Sequence, residues 1–180
     1  KDDFNQVFVD KNPRASASLQ GEYEEERRKY GLIYSGLYNS TSGFNETNQF
    51  IQAEKITKDI NPEYGSIQKL HARNSDLLTL CEDKILKIQA NKDALFNADG
   101  NINVTASSNV LGQAIPFAGD YGISQNPESF VSQNYRAYFA DKQRGAVLRL
   151  SMDGLTPISD AGMSDWFKDN LKPSTSIIGS

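Results

Sequence analysis

The sequence predicts an all-β fold of propeller-like repeated antiparallel blades with one short C-terminal helix, and two observations carry that expectation. The first is a long-period repeat. Tyr64-Gly65, Asp83-Lys84 and Ile85-Leu86-Lys87-Ile88 recur as Tyr121-Gly122, Asp141-Lys142 and Val147-Leu148-Arg149-Leu150, at offsets of 57, 58 and 62 residues. The four extra residues before the last run fall where a hairpin turn absorbs an insertion. A period of roughly 50 residues with several strands per unit marks propeller-type arrays, which leave only short, protected sheet edges. The second is local: apolar and polar residues alternate over short runs bounded by Gly, Pro, Asn and Asp, the pattern of half-buried strands.

Taken in order, residues 1–30 read as a polar arm and charged segment. Phe4, Val7, Phe8 and Val9 are the arm's anchoring groups. Glu24-Glu25-Glu26-Arg27-Arg28-Lys29 suits a short helix over Gly21–Tyr30, because acidic groups favour a helix N-terminus and basic ones its C-terminus. A β-propeller-like repeat domain follows over 31–172, with 173–180 as a tail. Leu32-Ile33-Tyr34 opens the first strand and Gly36-Leu37-Tyr38 continues it. Asn39–Asn48, rich in Asn, Ser, Thr and Gly, forms a long turn. Gln49–Ile60 returns beside the first strand, with Ala53–Thr57 irregular.

Ser66–Ala72, Leu77–Glu82 and Ile85–Ala90 form a three-stranded meander that turns at Asn74-Ser75-Asp76 and Asp83-Lys84. Asn91–Asn101 reads as a loop turning at Asp99-Gly100, and Asn103–Val110 as a further strand. Leu111–Pro127 reads as a second loop that tucks Ile115 and Phe117 into the core. Tyr135–Asp141 and Ala146–Ser151 pair across Lys142-Gln143-Arg144-Gly145, where Gly145 supplies a positive φ. Met152-Asp153-Gly154 turns the chain into Leu155–Ser159. Met163, Trp166, Phe167 and Leu171 are helically spaced, so Met163–Leu171 reads as an amphipathic helix that buries Trp166. Ser159, Asp160 or Ser164 caps it and Pro173 follows its end.

With 38% hydrophobic and 23% charged residues, the 180-residue chain folds rather than remaining disordered. A net charge of −4 argues against a dedicated nucleic-acid surface. No apolar run approaches the roughly 20 residues of a membrane-spanning helix. Neither an initiating Met nor a signal-peptide pattern stands at Lys1–Gly21, so the chain reads as part of a longer one. Cys81, the single cysteine, lies in a strand as a small apolar residue, and Glu82 and Asp83 oppose a reactive thiolate. The sequons at Asn39, Asn45 and Asn103 are what Asn-rich loops produce.

Chemistry has little to build on. The single histidine, His71, has no Ser or Cys nucleophile motif beside it, and no phosphate loop or metal-ligand spacing occurs. Asn97-x-Asp99-Gly100-Asn101-x-Asn103 resembles a calcium loop but lacks its terminal Glu. Glu54, Asp59, Glu63, Glu82, Asp83, Asp120, Glu128 and Asp141 are carboxylates from which no spacing selects a catalytic pair. The repeated Asp-Lys pairs sit at strand ends, where Asp satisfies backbone donors. Tyr30, Tyr34, Tyr38, Tyr121, Tyr135 and Tyr138 read first as packing residues and alternatively as a sugar-stacking platform. No catalytic, cofactor or metal residues are assigned, and no enzyme activity is expected.

The run Ala140–Ser159, together with Leu32–Asn39 and Tyr64–Leu70, resembles segments in virion structural proteins of tailed bacteriophages. The similarity is to large tail proteins of the nozzle or muzzle type in short-tailed phages, including the crAss-like group, and spans roughly Gly31–Leu171. The resemblance implies β-propeller-like domains, assembly in rings around the DNA exit channel, and location in the virion tail. Its implied partners are other copies of the chain, other tail proteins and the exiting genomic DNA. Two repeats are present, whereas a closed propeller needs about four. The loops Asn39–Asn48 and Leu111–Pro127 are the expected contact surfaces, with Asn39, Asn45, Asn48, Pro116, Phe117, Asp120 and Tyr121 as candidate residues. The alternatives are a host-glycan-binding module and a carboxylate-dependent polysaccharide depolymerase.

Overall fold

The computed structural model describes residues 27–51, 53–73, 76–96, 102–174 and 178. The chain forms two compact units, residues 1–59 and residues 60–180. In the first, β1 (Gly31–Ile33) pairs antiparallel with β4 (Thr57–Asp59), and β2 (Tyr38–Asn39) pairs with β3 (Phe44–Asn45). Further bonds run between the two pairs, from Tyr34 N to Ile56 O and from Glu46 N to Leu37 O. The described residues of this unit thus form one nested hairpin. The return strand spans only Thr57–Asp59, and the expected Asn39–Asn48 turn holds its own short β2–β3 ladder.

The second unit contains two four-stranded antiparallel sheets, each a meander in chain order. The first is β5 (Ile67–Ala72), β6 (Asp76–Cys81), β7 (Ile85–Phe96) and β8 (Ile102–Pro116). The second is β9 (Val131–Gln133), β10 (Arg136–Asp141), β11 (Ala146–Ser151) and β12 (Gly154–Pro157). Helix α1 (Ser164–Leu171) packs at the start of β11, where Lys168 lies against Gly145.

Alternation assigns the faces. In the first sheet Leu78, Leu80 and Ile85 share one side, and they cluster with Ile123, Phe130, Ala137, Phe139, Leu148 and Leu150 from the second sheet and its approach. Phe117, Tyr121 and Leu155 pack around this cluster. On the other side of the first sheet Thr79, Cys81, Leu86 and Ile88 are also buried. The β6–β7 pair is therefore covered on both faces. The second sheet buries Ala137, Phe139, Leu148 and Leu150 on one face; on the other Ala140 and Ser151 are buried while Tyr138, Val147 and Arg149 are half-buried.

Several expectations are corrected. The loop expected over Asn91–Asn101 is strand as far as Phe96, and residues 111–116 of the second expected loop complete β8. Asn91, Lys92 and Asp93 are poor strand formers, and pairing with 105–111 rather than propensity holds the backbone there. Among the described residues the last pair between β6 and β7 is Asp76–Gln89, and beyond it β7 and β8 continue as a two-stranded arm. A short edge strand, β9, precedes β10. Trp166 is 54% exposed rather than buried, its ring edge-on to Phe167. The helix starts after Met163 with no side-chain cap, so none of Ser159, Asp160 and Ser164 serves as one. The expected Gly21–Tyr30 helix falls largely outside the described residues. The Lys1–Gln20 arm, the Asp99-Gly100 turn and Asn74-Ser75 lie wholly outside them.

The cluster between the sheets carries the stability of the second unit. Leu148→Ala is expected to cost about 2–5 kcal/mol, and Trp166→Ala no more than about 0.5 kcal/mol. Urea denaturation of the two variants checks the contrast; equal losses would refute this partition of the core.

Candidate functional site

The most organised polar site lies where the turns of the two sheets meet. Asp141 ends β10 and its side chain is fully buried. One carboxylate oxygen accepts from Ser124 Oγ at 2.7 Å and Arg144 N at 3.2 Å. The other accepts from Gly122 N at 3.0 Å and Arg144 Nη1 at 3.0 Å. Four donors therefore surround a carboxylate removed from water, the condition under which a buried charge is tolerated. Arg144 reaches onward from the second sheet's turn, and its Nη2 donates to Asp83 Oδ1 in the first sheet's turn at 3.1 Å. Burial alone would lower the Arg144 pKa, but Asp141 and Asp83 outweigh it and raise it.

Backbone pairing closes the seam beside this clasp. Ile123 N donates to Cys81 O and Ser124 N to Glu82 O, both at 3.0 Å. A Cβ on Gly122 would lie 1.9 Å from Glu82 O, so only glycine permits this approach. Gly65, at φ +76°, presses on the same residue, its Cβ position being 2.8 Å from Glu82 Cβ. The Glu82 carboxylate accepts from Ser66 N at 3.3 Å and from Ser66 Oγ. Each sheet thus has a strand-end carboxylate tied to a serine just after its Tyr-Gly pair: Glu82 with Ser66, Asp141 with Ser124.

Lys84 donates to Gly119 O at 2.8 Å and Asp120 Oδ1 at 2.9 Å, and its hydrogen bond and charge hold the Asp120 carboxyl below its ordinary pKa. At the other end of the seam, His71 tilts on Phe130 with ring centroids 5.0 Å apart, and Lys69 Nζ sits 4.9 Å from the Phe130 centroid. Burial, then Arg73 and Lys69, lower the His71 pKa. Burial, then Glu82, push the Cys81 thiol up to about 12, which leaves it protonated and unreactive at neutral pH.

The candidate contact residues do not converge on one place. Asn39 and Asn45 belong to the first unit, where their side-chain oxygens shape the β2–β3 hairpin by accepting from Thr41 N and Thr47 N, each at 3.0 Å. Asn48 follows and is exposed. In the second unit Pro116 ends β8, Phe117 and Tyr121 pack on the core, and exposed Asp120 pairs with Lys84. The residues that build the clasp beyond the Asp-Lys pairs are Ser66, Glu82, Ser124 and Arg144. Ser66 and Ser124, 58 residues apart, are the sequence signal for it. With every oxygen of Asp141 engaged by a fixed donor, the arrangement serves to hold two turns together.

No protein-family model matches this chain, and no curated protein matches it.

Two measurements probe the seam. Asp141→Ala leaves buried donors without an acceptor and is expected to cost about 3 kcal/mol. Asp83→Ala, at the half-exposed end of the same clasp, is expected to cost less than about 1 kcal/mol by chemical denaturation. His71 supplies a pH response. Folded His71 takes up its proton at lower pH than the unfolded side chain does at its ordinary 6.5. Stability is then full above that value and falls as pH drops below it. His71→Gln is expected to flatten this profile, and an unchanged slope would assign it elsewhere.

Proposed function

We propose that the chain is a structural element of a bacteriophage tail, nozzle- or muzzle-like. In this reading its two four-stranded sheets are consecutive blades of a propeller-like array placed around the DNA exit channel. The observation that carries the reading is the blade-like order of the sheets: two sequential meanders, stacked through an apolar seam and locked by the clasp of Arg144 with Asp141 and Asp83. The sequence resemblance to tail proteins supports the setting. The β7–β8 arm supports an assembly role, because a two-stranded ribbon is marginally stable in water and gains stability from a covering surface. The exposed loop at 39–48 and the exposed tip at 118–120 supply further contact surface. Neighbouring copies of the chain and other tail proteins are the partners in this reading.

A second reading, recognition of a host-surface glycan, is favoured by one feature. Tyr135, 70% exposed, flanks a cleft of about 470 Å³ lined also by Ser132, Asn134, His71 and the Arg73–Asp76 ion pair. An exposed aromatic face beside planar polar groups suits a sugar ring. Light scattering with negative-stain imaging of the purified protein separates the two. A ring or other closed oligomer is expected for the tail element, and deleting residues 39–48 should weaken it while the sheets stay folded. A stable monomer that binds on a glycan array would overturn the structural reading in favour of the second.

A further inference from the structure

The two faces of the second sheet are not equivalent, and the repeat identifies what the outer one is for. Along β6 and β10 the offset is 58, and along β7 and β11 it is 62. Both are even, so alternate side chains keep their faces, and a slip of two residues would not change this. Leu80 and Ile85, cross-strand partners that pack against the second sheet, therefore correspond to the face that holds Tyr138, Ala140, Val147 and Arg149. Thr79, Cys81, Leu86 and Ile88, on the first sheet's other face, correspond to Ala137, Phe139, Leu148 and Leu150. The stacking is head-to-tail: one kind of face on the first sheet meets the other kind on the second.

The correspondence leaves the second sheet incomplete. Leu80 and Ile85 are 0% and 1% exposed, whereas on the corresponding face Ala140 and Ser151 are buried but Tyr138, Val147 and Arg149 are only half-buried. The Lys84 side chain bonds Gly119 O and Asp120 on the approach to the next sheet, whereas the side chain of its counterpart Lys142 makes no hydrogen bond or ion pair among the described residues. On the same face, the Nε of Arg149 is buried without an acceptor. Apolar surface, a cation and an unmet donor thus coincide where the first sheet has its neighbour.

We infer that the Tyr138–Val147–Arg149 face of the second sheet docks a third antiparallel sheet of the same repeat. That sheet presents small and apolar residues patterned as Ala137, Phe139, Leu148 and Leu150 are, and a carbonyl or carboxylate to Lys142. This deepens the propeller-like part of the proposed function and does not depend on the tail setting, so location of the protein in a particle tests the one and not the other.

The test supplies such a sheet. Glycines stand at 65, 122 and 179, 57 residues apart each time, so a second copy of residues 123–174 is fused in frame after Gly179. Hydroxyl-radical footprinting is expected to show a severalfold fall in Tyr138 modification relative to the unextended protein, with exposed Tyr135 as the dose reference. Tyr138→Asp is expected to leave the original β signal intact and release the added sheet to protease. Equal Tyr138 modification with and without the extension overturns the inference. So does digestion of the added sheet in the unmutated fusion while residues 60–159 resist.

Discussion

The desolvated carboxylate of Asp141 sets the terms for the second unit. An ionised group taken fully out of water is tolerated only if fixed donors replace its hydration. Here those donors come from the turn after β10 and from the segment that enters the second sheet. Meeting the charge therefore forces Gly122, Ser124 and Arg144 to converge. Arg144, once committed to Asp141, has a second face free for Asp83. Local turn chemistry and contact between sheets become one requirement, which hydrophobic packing alone would leave less specified.

The apolar cluster and the clasp divide the work along the seam. Leu78, Leu80, Ile85, Phe139, Leu148 and Leu150 provide non-directional attraction between the sheets. Sliding one sheet past the other by a residue pair would keep much of that contact. It would separate Ile123 N from Cys81 O and Ser124 N from Glu82 O, and would drive the Gly122 segment into the Glu82 backbone. Directional bonds and a steric limit thus select one register among several that burial would accept.

Much of this was legible in the sequence, for identifiable reasons. Strands bounded by strong turn residues, such as Ala146–Ser151 after Gly145, were readable because alternation and turn chemistry agree. The repeated Asp-Lys and Tyr-Gly pairs pointed to repeated sheets, and reading Asp141 as a backbone-satisfying residue captured its bond to Arg144 N. Its bonds to Gly122 and Ser124, 19 and 17 residues away, were not visible because spacing carries no distance across a fold. The β7–β8 arm escaped for a different reason. Asn91, Lys92 and Asp93 carry loop composition, and only pairing across the hairpin makes them strand. Trp166 misled because helical periodicity shows which residues share a face but not whether anything covers it.

The two Tyr-Gly segments pinch the same residue, Glu82, one from each side in the chain. Length can therefore be added at some points of the repeat and not at others. The turn between β10 and β11 belongs to the seam itself, because Gln143 N donates to Ser124 Oγ at 3.0 Å and Arg144 carries the clasp, so added length there would disturb it. A residue inserted within the strands between Gly65 and Glu82, or between Gly122 and Asp141, would change the span between a glycine and its carboxylate and pull the pinch apart. Drift in length is thus confined to the turns at the opposite end of the second sheet, Asn134-Tyr135 and Met152-Asp153, where new loops can lengthen and diversify while the stacking keeps its spacing.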